Sequence, residues 1–176
     1  ELRNGTNSDP ATRAGGSADA IAHMTPEMIC KVDGKGELKE ANEWRPSSEF
    51  KMHLKVYQER PDVKAVVHAH PPIATSFAIA GIPLDKLIMP EAVIFLGAVP
   101  IAQYGTPSTM EIPESLQPYI QDFDAILLAN HGALSFGCDL NTAFFRMRNF
   151  TGMWQSPCLR QSSPALLPPR RRVFSS

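Results

Sequence analysis

The sequence predicts an α/β domain, and three observations point there. Two apolar runs, "VKAVVHAH" and "DAILLAN", have the length and the bounding turn residues of buried strands. Segments with helical spacing, "SSEFKMHLKVYQER" and "DLNTAFFRMRNFTGMW", alternate with them. A chain of 176 residues is long enough to give one such domain a real core.

The elements follow in order. "MICKV" reads as a short strand, and "DGKGE" as a turn whose hairpin returns through "LKE". "EANEWRP" is a loop. The next helix places Phe50, Leu54 and Tyr57 on one face, is capped by Ser47 or Ser48, and ends at Pro61. The strand "VKAVVHAH" stops at Pro71 and Pro72. A proline at a helix start lacks only a donor that has no partner there, so "PPIATSFAIAG" begins a helix, and Gly81 closes it. "LIMPEAVIFLG" fits no single period. "AVPIAQY" reads as a strand. "STMEIPESLQPYIQ" reads as a helix weakened by Pro113 and Pro118. "DAILLAN" is a second buried strand, ending at His131-Gly132. Asp139 caps the last helix, on which Leu140, Phe144, Met147, Thr151 and Trp154 form one stripe.

Composition narrows the function. Hydrophobic residues make up 43% and charged residues 20%, an ordinary globular balance. The formal net charge is -1 and no basic stripe alternates with aromatics, which argues against nucleic acid as a partner. No apolar run approaches the ~20 residues of a membrane helix. "ELRNGTNSDP" lacks a signal-peptide core. The three cysteines are scattered and odd in number, which suits a reduced compartment. The reading is a cytoplasmic protein.

The chemistry concentrates in "VVHAHPP". On a strand, residues i and i+2 project from one face, so His68 and His70 point together and can chelate one ion. A lone histidine there would read as a packed core residue. A pair at a strand end suits zinc, whose commonest nitrogen ligand is imidazole. The third candidate is His131, which also ends an apolar strand, with Gly132 allowing a sharp turn after it. His53 reads as a partly buried polar contact inside its helix, and His23 as an exposed loop residue. Three imidazoles leave one position of a tetrahedral zinc open, the catalytic arrangement. Such chemistry needs a base. Glu49, in the first turn of its helix, is either that base or an acid favourable to the helix dipole. Ser47 and Ser48 beside it either cap the helix or help hold a phosphate. Glu91 is either a carboxylate partner of the site or a buried structural acid.

Taken in order, "RPSSEF", "VVHAHPP" and "LLANHGALSFG" resemble the class II aldolase/adducin family over roughly residues 25 to 150, nearest to its fuculose-phosphate aldolase branch. The resemblance implies a three-layer α/β/α fold with a mostly antiparallel central sheet. It implies zinc on His68, His70 and His131, Glu49 as catalytic acid/base, and Ser47 and Ser48 at the phosphate of a small sugar-phosphate substrate. The implied reaction is cleavage of a ketose 1-phosphate to dihydroxyacetone phosphate and an aldehyde, in a homotetramer. Related 4-epimerases usually carry Asp at the Glu49 position and His-Thr-His in place of "HAH". Adducin-like members lack the histidines. A related epimerase or dehydratase and a non-catalytic family member are the alternatives.

The resemblance departs at both ends. A family Gly-Asn motif has no clear counterpart before residue 25, and the chain diverges after about Asn149. The expected organisation is an incomplete N-terminal segment over 1–24, the aldolase-like domain over 25–154, and a disordered Pro/Arg-rich tail over 155–176.

Overall fold

The computed structural model describes residues 25–39, 44–86 and 90–152, together with the backbone of two short strands at 2–3 and 10–13; for residues 91, 92 and 150–152 it describes the backbone alone. His23, Trp154 and the expected tail over 155–176 lie outside the described residues, as does most of the 1–24 segment.

Seven strands form one sheet in the order β3-β2-β1-β4-β7-β6-β5. They are β1 (Leu2–Arg3), β2 (Pro10–Arg13), β3 (Ile29–Lys31), β4 (Ala65–Ala69), β5 (Ile101–Ala102), β6 (Ala125–Leu128) and β7 (Gly132–Gly137). Every pairing is antiparallel except β5 with β6. The helices are α1 (Phe50–Glu59), α2 (Pro72–Ala80), α3 (Pro90–Phe95), α4 (Glu111–Leu116) and α5 (Leu140–Gly152).

The strands are apolar on both faces, so the sheet needs cover on both sides. Alternate residues divide between two cores. Val66, Ile126, Leu128, Leu134 and Phe136 face one way, against Met52, Val56 and Tyr57 of α1 and Ile112 and Leu116 of α4. Ala125, Leu127 and Ala133 face the other way, against Phe77 and Ala78 of α2 and Met147 of α5. This is the three-layer α/β/α arrangement with a mostly antiparallel sheet. Phe136 is fully buried in the first core. Phe136→Ala is expected to cost about 3–5 kcal/mol, the usual range for a buried phenylalanine. Chemical denaturation measures it, and a loss under about 1 kcal/mol would contradict this packing.

Several elements differ from the sequence reading. β7 was not expected as a strand: the apolar run was read as ending at His131-Gly132, yet "GALSFG" is the buried strand between β4 and β6. The expected strand over "AVPIAQY" shrinks to Ile101–Ala102, with an isolated bridge between Leu84 and Val99. "LIMPEAVIFLG" contains the short helix α3. Pro113 is tolerated because it is the third residue of α4, where a backbone N–H has no partner inside the helix. Asp139 caps α5 as expected: its Oδ1 accepts the backbone N–H of Thr142 at 2.7 Å.

The α5 stripe is corrected. Leu140 and Phe144 are exposed, while Ala143 and Met147 are buried. The helix turns a small-residue face to β7 because the two approach closely. A Cβ on Gly137 would lie 2.8 Å from Thr142 Cγ2, and Ser135 Oγ donates to the Ala143 carbonyl at 2.8 Å. A phenylalanine cannot occupy that gap.

Candidate metal centre

The antiparallel register builds the site. β4 pairs with β7 so that Ala69 faces Ala133. One step further, His70 comes against Gly132, which places the β6–β7 turn beside the end of β4. The turn reverses at Asn130, whose φ is 56°, and closes with the His131 N–H on the Leu128 carbonyl at 3.0 Å. His131 is therefore a hairpin-turn residue facing the "HAH" segment.

Gly132 has a different reason than expected. It lies outside the left-handed region that Asn130 occupies. A Cβ there would stand 2.5 Å from His70 Cδ2 and 2.7 Å from the Ala69 carbonyl oxygen. Glycine makes room for the His70 ring. Gly132→Ala should displace that ring and weaken zinc binding by roughly 10–100-fold, the usual cost of disturbing what supports a ligand. Competition against a chromogenic chelator reads the affinity, and a wild-type value would contradict the account.

The three rings form a near-equilateral triangle. Centroid separations are 4.8 Å for His68–His70, 4.9 Å for His68–His131 and 5.0 Å for His70–His131. One ring nitrogen from each lies within 4.8 Å of the others. His68 Nδ1–H donates to the Ala133 carbonyl at 3.0 Å, which leaves the lone pair of the neutral ring on Nε2. That Nε2 lies 3.0 Å from His70 Nε2. Two imidazole ligands at ~2.0–2.1 Å from a tetrahedral zinc sit ~3.3 Å apart, so this pair is spaced for one ion and the His131 ring closes the group around it.

Burial lowers the His131 pKa below its ordinary value. The Glu49 charge opposes that shift and His70 adds to it. The net direction favours the neutral ring, the form a metal ligand requires. Glu49 Oε2 lies 3.7 Å from His131 Nε2, so the carboxylate reaches the cluster from the start of α1.

Ser47 is buried, and its Oγ accepts the Glu49 backbone N–H at 3.3 Å, leaving its own hydroxyl proton to donate. Of the two serines offered as caps, Ser47 makes this bond; Ser48 is exposed. Both line a cleft of about 470 Å³ with Arg45, Lys51 and Ser108. Lys51 Nζ donates to the Ser108 carbonyl at 2.9 Å and holds a turn in which Ser108 has a φ of 69°. The sequence reading missed Arg45 and Lys51, although both stand within three residues of the serine pair. It read His53 as partly buried, whereas His53 is only 5% exposed. The Glu91 side chain lies outside the described residues.

A model of the Class II Aldolase and Adducin N-terminal domain matches residues 16–154. The chain belongs to the class II aldolase and adducin family. Among its relatives, an L-fuculose phosphate aldolase of Methanococcus maripaludis (strain C5) is 32% identical over 129 residues, which cover 72% of this chain and 66% of the relative. A 5-methylthioribulose-1-phosphate/5-deoxyribulose-1-phosphate aldolase of Rhodospirillum rubrum is 30% identical over 177 residues, covering 95% of this chain and 78% of the relative. A solved L-fuculose 1-phosphate aldolase superposes with a TM-score of 0.74 at 29% identity, over 90% of this chain and 73% of that one. Among the described residues, no helix is long and apolar enough to cross a membrane.

Proposed function

We propose that this chain is a zinc-dependent aldolase that cleaves a ketose 1-phosphate to dihydroxyacetone phosphate and an aldehyde. The observation that carries the reading is the triangle of His68, His70 and His131 with the Glu49 carboxylate directed at it. His68, His70 and His131 would hold the ion, and the fourth direction remains for Glu49 or substrate. When bound, zinc supplies Lewis acidity to the carbonyl and adjacent hydroxyl oxygens of the sugar.

The chain's own residues do the rest. In the cleavage direction the C4 hydroxyl gives its proton to the Glu49 carboxylate, the C3–C4 bond breaks and the aldehyde departs. Glu49 then delivers a proton to C3, and in the reverse direction removes it. The phosphate would sit at the start of α1. There the Ser47 and Ser48 hydroxyls can donate to its oxygens, with Arg45 and Lys51 beside them.

The experiment is a retro-aldol assay of the zinc-loaded chain on a panel of ketose 1-phosphates. The expected result is release of dihydroxyacetone phosphate, lost on chelation and restored by zinc. Inversion at C4 without cleavage would instead indicate an epimerase, and no turnover of any sugar would leave the non-catalytic reading standing.

We also infer a homotetramer. Ile79, Ile94, Phe95, Phe144 and Phe145 are each more than half exposed, and exposed apolar side chains of this size suit subunit contact. Sedimentation should give four chains per particle, and a monomer at micromolar concentration contradicts this.

A further inference from the structure

One buried side chain that the proposed reaction leaves unused lies against the metal centre. His53 is one turn beyond Glu49 on α1, so the two share a helix face. It is 5% exposed, and imidazole is seldom buried so fully without a task. Its neighbours Met52, Val56 and Tyr57 fill the core below α1, and an apolar residue could serve equally as filler. Instead the His53 ring stands edge-on to His68, with centroids 6.4 Å apart and planes at 88°.

We propose that His53 is a positioning residue for the metal centre, fixing the ring plane of His68 and the distance between that ligand and the helix that carries Glu49. This rests on the three-histidine reading above. The hydrogen bond from His68 Nδ1 to the Ala133 carbonyl pins one corner of the ring. The Nε2 contact with His70 holds the opposite corner, and an edge-on neighbour on the flank restricts rotation of the ring about the line between those two corners. α1 thereby meets the cluster at two points one turn apart. His53 abuts His68, and Glu49 Oε2 lies 3.7 Å from His131 Nε2. Slack at His53 would be felt both by a ligand and by the position of the acid/base.

The test uses the full chain and Co(II) as a spectroscopic probe, with His53→Ala, His53→Leu and His53→Phe. His53→Ala should lower Co(II) affinity about 10–100-fold, as other losses of ligand support do, and should change the visible d–d band. His53→Phe keeps a flat ring edge and should recover most of both. His53→Leu keeps bulk without a ring and should not. Thermal unfolding of the metal-free variants, run in parallel, separates lost positioning from lost folding. If leucine restores affinity and spectrum as well as phenylalanine, His53 only fills space and the proposal falls. It falls equally if alanine changes neither. His68→Ala tests the reading beneath it: wild-type Co(II) affinity in that variant overturns the three-histidine centre itself. Loss of binding in His68→Ala with no effect in His53→Ala overturns the positioning role alone.

Discussion

Replacing His131 by alanine should strip the chain of most of its zinc. Disturbing the groups that merely support a ligand costs ~10–100-fold in affinity, and removing a ligand costs more. The triangle makes this variant decisive. His68 and His70 lie on one segment and would remain a two-nitrogen chelate, while His131 comes from the separate β6–β7 turn. The variant should fold, because His131 is a partly exposed turn residue and the turn is closed by its backbone N–H. His23→Ala is the comparison, since the sequence sets that histidine apart from the site. Elemental analysis after gel filtration should find about one zinc per chain in the wild type and His23→Ala, and little in His131→Ala. Equal zinc in the two variants removes the assignment.

Glu49→Gln should retain the metal and lose turnover by ~10²–10⁴-fold, the typical worth of a general acid/base. The amide keeps the shape of the side chain and cannot take up a proton. The electrostatics favour a clean result. The Glu49 charge raises the His131 pKa, so its removal lets that pKa fall further and keeps the ring neutral and able to bind zinc. Zinc content should therefore match the wild type while kcat collapses. A variant with wild-type kcat would return Glu49 to the role of an acid at a helix start.

The site was more legible in the sequence than the sheet that builds it. "HAH" needs only the two-residue period of a strand, and the rings of His68 and His70 do meet. His131 was found from its place at the end of an apolar run, but the reason it reaches the pair is a register, and register is a long-range property. β7 was missed for a related cause. "GALSFG" has a glycine at each end and two more small residues, Ala133 and Ser135, between them, and these four carry little strand preference. It is a strand because β4 and β6 flank it, and its glycines are there for the His70 ring and Thr142. The α5 stripe failed because hydrophobicity alone chose the buried face. Closeness to β7 chose Ala143 and left Phe144 outside. His53 carried a readable signal, its four-residue spacing from Glu49, and only the position of His68 across the interface gives that spacing meaning.

The measurement that tests the central claim most directly is X-ray absorption at the zinc edge of the loaded chain. The geometry calls for three imidazole nitrogens at ~2.0–2.1 Å, with any remaining ligand an oxygen. The chain also carries Cys30, Cys138 and Cys158, so a competing thiolate site would announce itself by sulfur scattering at ~2.3 Å. Three histidines and no sulfur is the result predicted here. Sulfur in the first shell, or fewer than three imidazoles, would contradict it.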